Sequence, residues 1–140
     1  MDKMSLTLIL DMVSNSITDL YIIPILVESS KGLIKIELTG AINTNNNSFF
    51  QSKMDELIDR GFKNFIFDMS KINYVSAMGI GVFIHIYERL SIGGGTLILN
   101  KLQKNVLDVL DLPGFSEFFH VDIDNKSAEI IVENNKWIVN

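Results

Sequence analysis

The 140-residue chain contains no cysteine. Thiolate metal sites, cysteine nucleophiles and disulfide frameworks are therefore all excluded, and a cysteine-free chain fits a reducing compartment such as the cytoplasm. Histidine is scarce too. His85 and His120 stand far apart in sequence, neither with a ligand-spaced partner, so no metal site is expected. Positive charge is in short supply: 12 Lys and Arg face 17 Asp and Glu, for a net charge of -5, and the basic residues are scattered. The field that attracts a phosphate backbone is missing, which sets nucleic acid aside as a partner. Long apolar runs are absent, since even Ile80 to Tyr87 is broken by His85, so no membrane span is expected. Near the N-terminus Asp2 and Asp11 oppose only Lys3 and no small-residue cleavage site follows, which argues against a secretory signal.

What is present is apolar. Hydrophobic residues make up 47% and mean hydropathy is +0.25, enough for a single core in a chain of one-domain length. Residues 1–20 read as an N-terminal extension, 21–134 as the domain and 135–140 as a tail. In the extension Leu6, Ile9, Leu10, Val13, Ile17 and Leu20 recur at helical spacing, an amphipathic face that packs on the domain or on a second copy; a strand through Leu6, Leu8 and Leu10 is the rival. Two strands follow, "YIIPILVE" and "LIKIELTG", joined by a turn at Ser29 to Gly32, with Pro24 suited to an edge and Gly40 ending the hairpin. Asn43 to Arg60 reads as a helix, capped by Thr44 or a neighbouring Asn and stopped by Gly61. "FKNFIFDM" is a strand, Ala77 to Ser91 a helix, Gly93 to Gly95 a turn and "TLILN" a strand. "KNVLDVLDL" is a short helix before Pro113-Gly114, "EFFHV" a last strand and Ser127 to Glu133 a final helix. This alternation predicts an α/β fold: a mixed, mostly parallel four- to five-stranded sheet.

Few residues offer chemistry. Gly93-Gly94-Gly95 follows a helix and opens a strand, the reverse of a phosphate-cradling loop. His85 shares a polar stripe with Glu88 and Arg89 and reads as solvated surface. Asp68 closes a strand, where α/β proteins place sites, but no second acid lies nearby; it reads as a structural carboxylate bonding the amides of the Met69 to Val75 loop. Ser76, in "VSAMGIG", lacks the glycine frame of a hydrolase nucleophile and stands where an N-cap belongs. Gly79 and Gly81 each weaken a helix by about 1 kcal/mol, so close approach of the sheet or of a partner's backbone is expected there. No catalytic residue emerges.

Residues 65–119, with "IKIELTGAIN" before them, resemble the STAS domain, the family of bacterial anti-sigma factor antagonists and of cytoplasmic domains of sulfate transporters. The resemblance rests on the strand with Asp68, the loop into a Gly79-x-Gly81 helix, Gly94-Gly95 before a strand, and the Leu110 to Phe115 turn. It implies helices packed chiefly on one face of the sheet. It also implies a cytoplasmic, non-enzymatic module without cofactors, binding an anti-sigma factor or serine kinase under control of a phosphate at the start of the second helix. Laid on the family's Asp-Ser-Ser/Thr-Gly-x-Gly, the acid falls at Ser76, the phosphoacceptor at Ala77 and the next hydroxyl at Met78; the family's Gly-x-x-Asp reads Gly40-Ala41-Ile42-Asn43. Ala77 has no oxygen to phosphorylate, and Ser76 is the lesser candidate. The partner surface implied comprises Asn43, Thr44, Ser76, Ala77, Met78, Gly79 and Val82, with Asp68 and Gly81 structural. A small-molecule or nucleotide sensor of STAS type is the alternative, and a homodimer through residues 4–20 the other assembly.

Overall fold

Why one strand of this chain is buried along half its length follows from what lies on either side of it. The structure, a computed structural model, describes residues 19–110 and the backbone of 120–122. The described elements are β1 (Leu20–Glu28), β2 (Leu33–Ile42), α1 (Asn47–Asp59), β3 (Asn64–Val75), α2 (Ala77–Ile92), β4 (Thr96–Asn100), α3 (Lys104–Leu110) and β5 (His120–Asp122). The five strands stand in the order β1-β2-β3-β4-β5. β1 runs antiparallel to β2, whereas β2, β3, β4 and β5 are parallel, as strands joined through crossover helices must be.

Alternation along the strands sorts residues to two faces. Ile34, Ile36 and Leu38 of β2, Phe65, Phe67 and Met69 of β3, and Leu97 and Leu99 of β4 meet Phe50, Met54 and Leu57 of α1, Phe83 and Ile86 of α2, and Val106 and Leu110 of α3 in one core. At its centre Phe83 lies edge-on to Phe50 and Phe67, with ring centroids 5.4 and 5.6 Å away. Such edge-to-face contacts hold two helices and the central strand in one register. The other face carries a second buried cluster, Leu33, Ile66 and Ile98, against which Leu26 packs. β3 is consequently buried on both faces from Asn64 to Met69.

Pro24 sits on the edge strand β1 at a register shift, where its missing amide leaves no ladder bond unmade. Three expectations need correcting. Gly40 does not end the hairpin: β2 continues to Ile42, with Gly40 at φ +114° inside it. α1 begins at Asn47, because Asn43 to Asn46 fold into a turn closed by their own side chains. Asp68 does not end a strand, since β3 runs on to Val75 beside the extended end of β2. β5, His120–Asp122, meets the expected strand 117–121 at its end, and 117–119 lie outside the described residues. The expected helices at 4–20 and Ser127 to Glu133 and the Pro113-Gly114 stop lie outside the described residues, apart from Leu20, which opens β1.

Candidate functional site

β2 and β3 end side by side, with Ile42 opposite Val75, and each hands over to a helix at the same end of the sheet. Ser76 makes the junction. Its amide donates to the Ile42 carbonyl at 2.8 Å, its backbone is extended, and its hydroxyl accepts from the Gly79 amide at 3.0 Å. That hydroxyl satisfies one of the free amides of the first turn of α2, the bond that makes serine a helix cap. Ser76 is 8% exposed, so its oxygen is both occupied and covered. Replacing Ser76 by alanine is expected to destabilise the fold by about 1 kcal/mol, read as a lower urea midpoint, while leaving the exposed surface beyond it intact.

The turn beside it is built from asparagines. Asn46 Oδ1 accepts from the Asn43 amide and Asn46 Nδ2 donates to the Ala41 carbonyl, at 2.9 and 2.8 Å, while Asn43 Oδ1 accepts from the Asn45 amide. These bonds need no charge. An Asn at position 43 thus closes the turn through its own side-chain oxygen, and Thr44 is left exposed at the tip.

The two glycines exchange the roles expected of them. Gly79, assigned to the partner surface, is buried: a β-carbon there would come within 2.8 Å of Ile42 Cγ2 and 3.0 Å of Val75 Cγ1, so the first turn lies directly on the strand ends. Gly81, assigned a structural part, is exposed and a β-carbon on it would meet nothing. Ala77 and Met78 are exposed with it, Met78 at 61%. Val82 is 5% exposed and contributes to the surface only as a floor.

That floor belongs to a groove of about 500 Å³ between α1 and α2, with Met78, Gly81 and Val82 on one side. Asn47, Ser48, Gln51 and the acidic Asp55, Glu56 and Asp59 of α1 form the other. Its far end is clamped. Arg89 donates to Asp55 and to Asp59, each at 2.9 Å, and His85 Nε2 lies 2.9 Å from the same Asp55 oxygen. His85 is thus a half-buried bridging residue, not simply solvated surface. Burial raises the Asp55 pKa, but the hydrogen bonds from Arg89 and His85 outweigh it and hold the carboxyl below its usual range. Sequence reasoning missed this clamp. Its signal is two i,i+4 pairs, Asp55 with Asp59 and His85 with Arg89, of opposite charge on adjacent helices.

Asp68 stands apart, on the sheet face opposite the helices. Its Oδ1 accepts from the Ser70 amide at 3.0 Å and its Oδ2 lies 3.6 Å from Lys101 Nζ. Burial raises its pKa, and the Ser70 hydrogen bonds with the Lys101 charge carry it below the ordinary value. A carboxylate so engaged holds the strand edge. Among the described residues no three His, Asp or Glu side chains converge on a metal position. No helix among them is long and apolar enough to cross a membrane.

The family model described as the STAS domain matches residues 24–130. BtrV of Bordetella bronchiseptica, which carries the name of an anti-sigma factor antagonist, is 25% identical over 97 residues, 69% of this chain and 84% of that protein. The anti-sigma-B factor antagonist of Bacillus subtilis is 23% identical over 101 residues, 72% of this chain and 90% of that one. The structure of the anti-sigma factor antagonist SpoIIAA in its unphosphorylated form superposes with a TM-score of 0.67 at 18% identity, covering 85% of this chain and 99% of SpoIIAA.

Proposed function

The chain belongs to the STAS domain family, and on that premise we propose that it is a non-enzymatic interaction module of the anti-sigma factor antagonist kind. Its partner in this reading is an anti-sigma factor or serine kinase, seated on Thr44, Ala77, Met78 and Gly81 beside the α1–α2 groove. One observation carries the reading: Met78 is 61% exposed on the first turn of α2, in a chain whose other apolar residues on that helix are mostly covered. A large apolar side chain held out on a rigid turn, beside the open positions Ala77 and Gly81, is the kind of anchor a protein interface is built around.

The usual phosphate switch is absent from this surface. A phosphate would bring about -1.5 to -2 charges next to the Met78 contact, and Ala77 cannot accept one. Ser76 is the hydroxyl next to Ala77 in the chain, and phosphorylation there would require the cap to be broken and the oxygen exposed. The protein in this reading binds its partner constitutively.

Immobilised protein should capture a serine-kinase anti-sigma factor from extracts of its own host, identified by peptide mass spectrometry. Titration of that factor against Met78→Asp should show affinity reduced at least about 100-fold, because the new carboxylate loses its water against an apolar contact. Undiminished affinity in this variant would remove the surface from consideration, and a phosphorylated Ser76 peptide after incubation with the kinase and ATP would overturn constitutive binding.

A small-molecule or nucleotide sensor is favoured only by the volume of the groove, which is of ligand size. Asp55, Glu56 and Asp59 line its wall, ion-paired with Arg89 and Lys53, so the groove turns carboxylates and not cations toward the phosphates of a nucleotide. A shift in thermal midpoint on adding GTP or ATP would support that reading instead.

A further inference from the structure

β3 outlasts its neighbour on one side. Its pairing with β4 ends where Asp68 meets Asn100, whereas its pairing with β2 continues to Val75. On the side that β4 leaves, two side chains from the start of α3 and the residue before it take over. Gln103 Nε2 donates to the Ser70 carbonyl at 3.0 Å and Asn105 Nδ2 to the Asn73 carbonyl at 2.7 Å. The strand end is thus bonded on both flanks, which fixes it as a free loop of the same length would not be fixed.

What that strand end holds out is Tyr74. Val75 beside it belongs to the core shared with the helices, so alternation turns the Tyr74 ring to the opposite face, where it is 53% exposed. On the reading that Met78 meets an anti-sigma factor or serine kinase, we infer that Tyr74 is a second anchor for that same partner. Met78 stands in the helix layer and Tyr74 on the face away from it, so the partner grips the end of the sheet from both sides, with a cleft instead of a flat surface.

Position and chemistry both select Tyr74. Five large apolar residues stand exposed among the described ones, Tyr21, Ile25, Tyr74, Met78 and Ile92, and only Tyr74 lies within four residues of Met78 in the chain. Four residues span at most about 14 Å. Across the sheet Tyr74 pairs with Ala41, three residues before Thr44 and so at most about 11 Å from it. Each side of a standard protein interface covers about 800 Å², a patch roughly 30 Å across, so one partner reaches Thr44, Met78 and Tyr74 together. A tyrosine on a fixed strand offers a large contact area with only two side-chain torsions to immobilise, which is why aromatic residues concentrate where interfaces are anchored. The exposed Asn73, and Lys71 paired with Glu37 at 3.2 Å, give the ring the polar border that such anchors have.

The test titrates the captured anti-sigma factor or kinase against Tyr74→Ala, Met78→Asp and Ile92→Ala, with urea unfolding of each variant. Expected are an affinity about 10-fold lower in Tyr74→Ala, parental affinity in Ile92→Ala at the far end of α2, and unchanged urea midpoints in both, because exposed side chains carry little of the fold. Undiminished affinity in Tyr74→Ala beside the loss in Met78→Asp would overturn the second anchor and leave the Met78 contact standing. Undiminished affinity in both would remove the whole surface. A loss shared equally by Ile92→Ala, or one matched by a lowered urea midpoint in Tyr74→Ala, would also overturn the anchor, the second by making Tyr74 a support of the strand end.

Discussion

Phe83→Ala is expected to lower the stability of the fold by about 3–5 kcal/mol, seen as a reduced urea midpoint at an unchanged slope. Phe83 is 0% exposed, and its ring meets Phe50 of α1 and Phe67 of β3 edge-on. Truncation removes the transfer free energy of a buried ring and opens a cavity among side chains fixed by two helices and the central strand, which cannot all move in to fill it. The same ring sets the spacing of α1 and α2, so the groove beside Met78 should change shape in the variant even where the fold survives. A loss under about 1 kcal/mol would mean that the helix pair is not held by this contact.

The second large effect is expected at Gly40, where alanine should cost about 2–4 kcal/mol. Gly40 has φ +114°, a conformation that side-chain-bearing residues rarely adopt, and a β-carbon on it would overlap the Asp19 carbonyl oxygen. Either the start of β1 lifts away or β2 rotates, and both outcomes break the bond from the Ala41 amide to Asp19. Hydrogen exchange separates them from a neutral change: the Ala41 amide should lose its protection in Gly40→Ala. Retained protection together with parental stability would show that the strand end tolerates a side chain.

The parts of this fold that obey a period are legible in the sequence itself. Lys35 and Glu37 alternating with Ile34, Ile36 and Leu38 place β2, and the Ser76 cap with the apolar run after it places α2 to within a residue. The alternation of strand and helix carries the mostly parallel sheet, and the resemblance carries the family. What escapes is set by geometry between elements. Nothing local to Gly79 and Gly81 tells which of the two lies on Ile42 and which faces water; a two-residue step along a helix turns the side chain by about 200°, and the direction of the sheet decides. The extension of β3 past Asp68 escapes for a similar reason. Its last residues pair with the end of β2, and Ser70, Lys71, Asn73 and Tyr74 are exposed, so their polar composition reads as a loop. The clamp of Asp55, Asp59, His85 and Arg89 emerges only when the two helices lie side by side and their charges can be matched.

Ile92, at the end of α2, is 89% exposed. Fourteen residues of helix, about 21 Å, separate it from Met78. In a chain without cysteine, Ile92→Cys provides a single thiol for a fluorophore, attached to the same rigid rod as the proposed contact yet outside the footprint of anything seated on the first turn. Anisotropy of that dye would follow partner association in solution through slower tumbling, without the label itself touching the interface.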